Sequence, residues 1–142
     1  LSIEGGRVIT PCGMAEGPWQ VSERRGRLEV TAWVKALEED LVVLLFGGAK
    51  PHIGAVGMAE PRPSLRDPKE ISATSSVFTF LGHKEDVVAK AVAEDLAKAL
   101  NRKVVVVAGM HWEGLREEEV EEVLGICEAL TRRIIEAFGG EV

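Results

Sequence analysis

The chain holds three histidines, and each stands where an apolar run stops. His52 lies in GGAKPHIG at 47–54, His83 in LGHKED at 81–86, and His111 in AGMHWEG at 108–114. The neighbouring residues suit a flat, anionic ligand. Gly47 and Gly48 let a ligand or another backbone approach closely, and Lys50 can reach an anion. Gly82, His83 and Lys84 sit where a strand gives way to a helix, whose free N–H groups and positive dipole end attract anions. Glu85 and Asp86 work against this, because they already complement the dipole. Met110, His111 and Trp112 set a thioether, an imidazole and an indole side by side. The indole can stack on a ring while the imidazole fixes its edge. Each junction also has a plain reading: a hairpin turn, a connector, and a tryptophan packed over a sheet edge.

Other chemistries find less support. Zinc accepts three histidines and a water, but these three lie about thirty residues apart, with none of the local spacings that metal sites use. No GxSxG elbow is present for a serine hydrolase. Ser72, Ser75 and Ser76 lie within a strand-like stretch, and no carboxylate pair stands out among 23 acids. Cys12 and Cys127 match no metal or redox spacing and read as reduced, buried thiols, which fits a cytoplasmic protein. A net charge of −6 argues against a duplex nucleic-acid binder, which needs a basic face.

The elements that must position these residues follow from the apolar pattern. The length of 142 residues suits one domain with a real core, and the longest apolar run, LVVLLF at 41–46, is far too short to span a membrane. The first 21 residues are broken by glycine and proline, so one short strand near 7–11 and irregular chain are expected there. SERRG at 22–26 reads as a turn. RLEVTAWVKAL then alternates, with Leu28, Val30, Ala32 and Val34 on one face and Trp33 on the other. LVVLLF is apolar on both faces, as a central strand is. IGAVGMAE is again strand-like, so the pair is expected to form a hairpin, not the strand-to-helix unit of a dinucleotide fold. PRPSLRDPKE at 61–70 reads as a loop leaving the sheet and a candidate lid. ISATSSVFTFL forms the next strand.

From 84 to 101 the period becomes helical, with Val88, Val92, Leu96 and Ala99/Leu100 as the stripe and Asn101 as its αL end. KVVVVAG is a second buried strand. A last helix starts near Arg116, with Val120, Val123, Leu124, Cys127, Leu130, Ile134 and Phe138 inward. Its early glutamates read as a solvated helix start. The order gives an α+β domain with helices on a mixed, largely antiparallel sheet. Few Asn and Gln, abundant Glu and Val, and short connections point to a thermophilic source.

Taken in order, GGAKPHIGAVGMA, ATSSVFTFLGHKED, LAKALNRKVVVVAGMHW and the acidic final helix resemble the LpdD-like family over about 37–138. The sharpest motifs are G-G-x-x-P-H-I-G at 47–54 and G-H-K-E at 82–85. The family is described as a prenylated-flavin chaperone associated with UbiD-type decarboxylases. The resemblance implies a non-catalytic cytoplasmic carrier of prenylated FMN, or of FMN, that receives its ligand from a flavin prenyltransferase. The chain is read as a single LpdD-like domain over 1–142, with 1–21 as an irregular N-terminal segment outside the resemblance. The same layout is similar to the fourth proteasome assembly chaperone of eukaryotes. That likeness implies about six strands with two main helices packed on one side, and a homodimer. That relative lacks the G-H-K-E histidine, so His83 favours the flavin reading.

The ligand's chemistry then assigns roles. Lys84 or Lys50 meets the phosphate; His83, His52 and His111 bond the phosphate or ring edge; Trp112 stacks; Gly47, Gly48 and Gly82 allow close approach. The alternative is a protein-assembly chaperone acting through apolar faces such as the Trp33 side of its strand. A metal-dependent hydrolase built on the three histidines is a third reading.

Overall fold

The computed structural model describes residues 2–4, 7–9, 18–80 and 85–139. Strands β1 (Ser2–Glu4) and β2 (Arg7–Ile9) pair with each other as a small antiparallel ribbon. The main sheet contains β3 (Trp19–Arg25), β4 (Leu28–Leu37), β5 (Asp40–Gly48), β6 (Ala55–Pro63), β7 (Ile71–Thr79) and β8 (Val104–His111). Its order is β3-β4-β5-β8-β6-β7, and only the β5–β8 pair is parallel. Helices α1 (Asp86–Leu100) and α2 (Glu117–Phe138) pack against each other and on the sheet, α1 over β6, β7 and β8, α2 over β3 and β4. The expected α+β architecture of a mixed, largely antiparallel sheet and two helices is therefore present.

Strict alternation builds the core. Leu28, Val30, Ala32 and Val34 of β4, Leu41, Val43 and Leu45 of β5, and Val104, Val106 and Ala108 of β8 are buried under the helices. Leu96 of α1 and Ile126, Leu130 and Ile134 of α2 meet them, also fully buried. Burying a side chain of this size stabilises by about 1.5–3 kcal/mol. The buried α1 positions are Ala89, Val92, Ala93, Leu96 and Ala97, so alanines bring the helix close to the sheet, while Val88 and Leu100 pack at the edge of the core and Ala99 is exposed. Asn101 ends α1 in the αL conformation as expected (φ 53°). Among the described residues, no helix is long and apolar enough to cross a membrane.

Several local expectations are corrected. β5 and β6 do not form a hairpin, because β8 lies between them and pairs with both. The reason is burial: VVVV is as apolar on both faces as LVVLLF, and a central place covers both strands. SERRG does not turn; Ser22–Arg25 continue β3, which starts at Trp19 inside the segment expected to be irregular, and Gly26 makes the turn (φ 61°). The proline-rich stretch is not a lid. Pro61–Pro63 extend β6, and 64–70 close the β6–β7 hairpin, with Ser64 N–H donating to the Glu70 carbonyl. That turn lies at the sheet end opposite His52 and His111. Cys127 is buried and its thiol is pushed up to about 12, chiefly by burial and then by Glu128, so it is a packing group. Cys12 lies outside the described residues.

The acidic start of α2 is mostly solvated, with one exception. Glu119 is buried and accepts two hydrogen bonds from the Arg27 guanidinium, both of 2.9 Å, and one of 3.0 Å from the Arg116 N–H. Arg27 also donates to the carbonyls of Glu113 (3.0 Å) and Gly114 (3.4 Å), tying the β3–β4 turn to the start of α2. These bonds, Arg27 first, hold the Glu119 carboxyl down to about 2, against the opposing pull of burial. A folded value below the unfolded one means the contribution is full above the ordinary value of 4.5 and is lost as pH falls towards 2. Glu119→Gln should therefore lower the thermal midpoint at neutral pH, and the gap from wild type should close between about pH 5 and 2. A pH-independent gap would contradict this account of the pair.

Candidate functional site

The parallel β5–β8 pair decides where the junctions meet. Parallel strands end together, and Gly48 of β5 is in register with His111 of β8. In open sheets that end of a parallel pair is where ligands are usually held. The segment 49–54 then crosses the end of β8 as a strap, to reach β6 on its far side. Ala49 N–H donates to the His111 carbonyl and Gly54 N–H to the Ala108 carbonyl, each at 2.9 Å. Glycines make the crossing possible. A Cβ on Gly109 would lie 1.6 Å from the His52 carbonyl oxygen, and one on Gly48 (φ 78°) would lie 1.8 Å from that of His111. Both glycines serve neighbouring backbone.

The start of α1 closes the same end. The Glu85 carboxylate accepts from the Met110 N–H at 3.0 Å and lies 2.9 Å from His52 Nε2. His52 Nδ1 lies 2.7 Å from the Lys50 carbonyl. The imidazole is thus held between its own strap and the helix start, and it acts on the strap's position. Two of the three junctions converge here, and Glu85, the last residue of G-H-K-E, lies at the same sheet end. Gly82, His83 and Lys84 lie outside the described residues.

Beside the strap is a cleft of about 350 Å³. Gly47, Gly48 and Pro51 form one side, Phe46 and Trp112 its aromatic surface, and Arg24, Arg27, Glu29 and Thr31 of the β3–β4 hairpin the other side. The Trp112 ring lies over Gly47, with Cζ2 and Cη2 3.2 Å from where a Cβ would stand. The volume is at the small end of the range for ligand clefts. Lys50 and His52 belong to the strap but not to the cleft lining. His111 Nε2 sits 2.7 Å from Glu113 Oε2 at an exposed rim. A larger depression of about 560 Å³ lies between Arg25, Arg116 and α2, but its charges face one another: Arg25 with Glu122 (3.4 Å), Arg27 with Glu119 (2.9 Å), Arg116 with Glu118 (3.6 Å). Ion pairing of this kind leaves little to offer a ligand. Among the described residues no group of His, Cys, Asp or Glu is placed to hold a metal.

Residues 24–139 match the prenylated flavin chaperone LpdD-like domain. The chain belongs to that family. The match begins at Arg24, on the wall of the cleft, and takes in every described residue that lines it. In structure, the LpdD-like chain is similar to a crystallographically solved chaperone complex for yeast 20S proteasome assembly. The TM-score is 0.43 and the identity 9%, over 83% of this chain and 99% of that one. No curated protein matches the sequence at a significant level.

The sequence pointed to Gly47, Gly48 and Trp112, which line the cleft, but not to Arg24, Thr31 or Phe46. Strand pairing brings those three to the junctions. Thr31 lies opposite Phe46, and Arg24 opposite Glu29 on the neighbouring strand. No local spacing announces such neighbours. Glu85 was legible only as a helix-start acid, because its partners Met110 and His52 are distant in sequence.

Proposed function

We propose that this LpdD-like chain is a non-catalytic carrier. It holds prenylated FMN at the carboxyl end of the β5–β8 pair, taking it from a flavin prenyltransferase and delivering it to a UbiD-type decarboxylase. The observation that carries this reading is the cleft itself. Aromatic surface from Phe46 and Trp112, a glycine-lined approach and arginine side chains meet in one place within the residues of the family match. A flat ring bearing a phosphate needs that combination. Within this reading Trp112 and Phe46 face the ring system, Gly47 and Gly48 admit it, and Glu85 and His52 keep the strap in place. Lys50 and His111 stand outside the cleft lining, and His83 and Lys84, which lie outside the described residues, are proposed as further ligand contacts. Binding and release suffice for the role, so the residues need only recognise and shelter the ligand.

The helix-free face of the sheet is proposed to receive a second copy of the chain. Trp33, Leu44, Val107, Val56 and Phe78 stand in register across five strands as one apolar row. Val42, Val105 and Met58 form a second row beside it. Phe78 is 62% exposed and Met58 47%. The longer row spans about 19 Å across its five strands, and the second lies about 7 Å from it along the strands, an apolar centre around which flanking residues would complete an interface. A chain of net charge −6 can meet itself only on a face with few charges, and these rows carry Lys35 alone at one end. The same face favours a second reading, a protein-assembly chaperone whose client lies on the sheet. Anaerobic titration with reduced prenylated FMN separates the two: saturable binding is expected of the carrier, and none of a chaperone that grips only protein.

A further inference from the structure

We infer that Arg24 is the phosphate-recognising residue of the cleft, an assignment that rests on the carrier reading above. Two cations line the cleft, and the structure distinguishes them. Arg27 is committed: its guanidinium grips Glu119 with two bonds and donates to two carbonyls. Arg24 forms no ion pair with any described residue, although Arg25, Arg27, Arg116 and Arg133 in its surroundings all do. An unengaged guanidinium presents a planar fork of donors that matches a phosphomonoester bidentately, and Arg is weakly hydrated enough to be worth engaging at a partly open site. Lys50, one of the two lysines expected to meet the phosphate, lies on the strap and outside the lining.

Position supports the same assignment. Arg24 and Glu29 are paired across the β3–β4 hairpin, with Thr31 and Phe46 one step further along the sheet. The cleft therefore runs from a cationic end at the hairpin to aromatic surface at Phe46 and Trp112. A ligand with a phosphate at one end and a flat ring at the other fits that polarity in one orientation. Glu29 lines the same cleft and opposes the anion. Its carboxylate tempers the attraction of Arg24, which suits a protein that must give its ligand up.

The test is a cross between residue and phosphate. Prenylated FMN and its phosphatase-treated product, prenylated riboflavin, are titrated into the wild type and into Arg24→Ala, Arg24→Lys, Lys50→Ala and Glu29→Gln. The wild type should prefer the phosphorylated form by about 10- to 100-fold, the range expected of hydrogen bonds to a charged group. Arg24→Ala should erase that preference through weaker binding of the phosphorylated form alone, Arg24→Lys should keep part of it, and Glu29→Gln should enlarge it. If the preference survives in Arg24→Ala, or disappears in Lys50→Ala instead, the assignment is overturned while flavin binding stands. If the wild type binds neither form, the carrier reading falls and takes the assignment with it.

Discussion

Replacing Gly109 by alanine should cost about 3 kcal/mol or more, the upper part of the range for overpacked sites, and should abolish ligand binding at any temperature. The added methyl would stand 1.6 Å from the His52 carbonyl oxygen, which is backbone and not the movable tip of a side chain. One of the two chains must shift. The strap is the one free to do so, because β8 is held on both sides by β5 and β6. Its displacement would break the Gly54–Ala108 hydrogen bond, pull His52 from Glu85 and reshape the cleft beside Pro51. Gly114→Ala is the comparison. It has the same added carbon and a positive φ of 61°, but nothing within 4 Å. It should cost only about 1 kcal/mol, the local strain of that conformation, and should leave the strap intact. Denaturant unfolding of both variants checks the pair of expectations. A Gly109→Ala protein as stable as Gly114→Ala would mean that the strap does not press on β8 as described.

The second large effect is expected on the open face of the sheet. Leu44→Glu combined with Val107→Glu should turn a dimer into a monomer, weakening self-association by at least about 100-fold, since burying an uncompensated carboxylate costs several kcal/mol. Leu44 and Val107 are neighbours in the middle of the apolar row, so both charges would fall at the centre of the contact. The fold itself should survive, because Leu45 and Val106, not Leu44 and Val107, are the fully buried members of those strands. Light scattering across a concentration series gives the mass directly. A wild type that is monomeric throughout would leave this face to a client protein and strengthen the assembly reading.

The sequence carried the fold's elements more fully than their neighbours. Alternation in RLEVTAWVKAL placed Val30, Ala32 and Val34 in the core and Trp33 outside it, and αL-prone Asn101 marked the end of α1. Those signals are local: side-chain direction in a strand and backbone preference at a helix end are set within a few residues. Partnership is not local. Nothing near GGAKPHIG says that VVVV, about a third of the chain away, will slip between the strands it joins, and so a strap looked like a hairpin turn. Glu119 illustrates the same limit. In a row of glutamates it is indistinguishable by composition, and only folding of the β3–β4 turn against α2 brings Arg27 to it. The candidate site divides in the same way. Gly47, Gly48 and Trp112 were recognisable from their own junctions, whereas Arg24 and Phe46 join them through sheet register.

The central claim is that this chain shelters a flavin, and anaerobic calorimetry with reduced prenylated FMN beside plain FMN tests it most directly. The account predicts saturable, stoichiometric binding, tighter for the prenylated form and lost in Gly109→Ala. Absence of binding by either flavin to a folded wild-type protein would contradict it and leave the apolar sheet face as the working surface of the molecule.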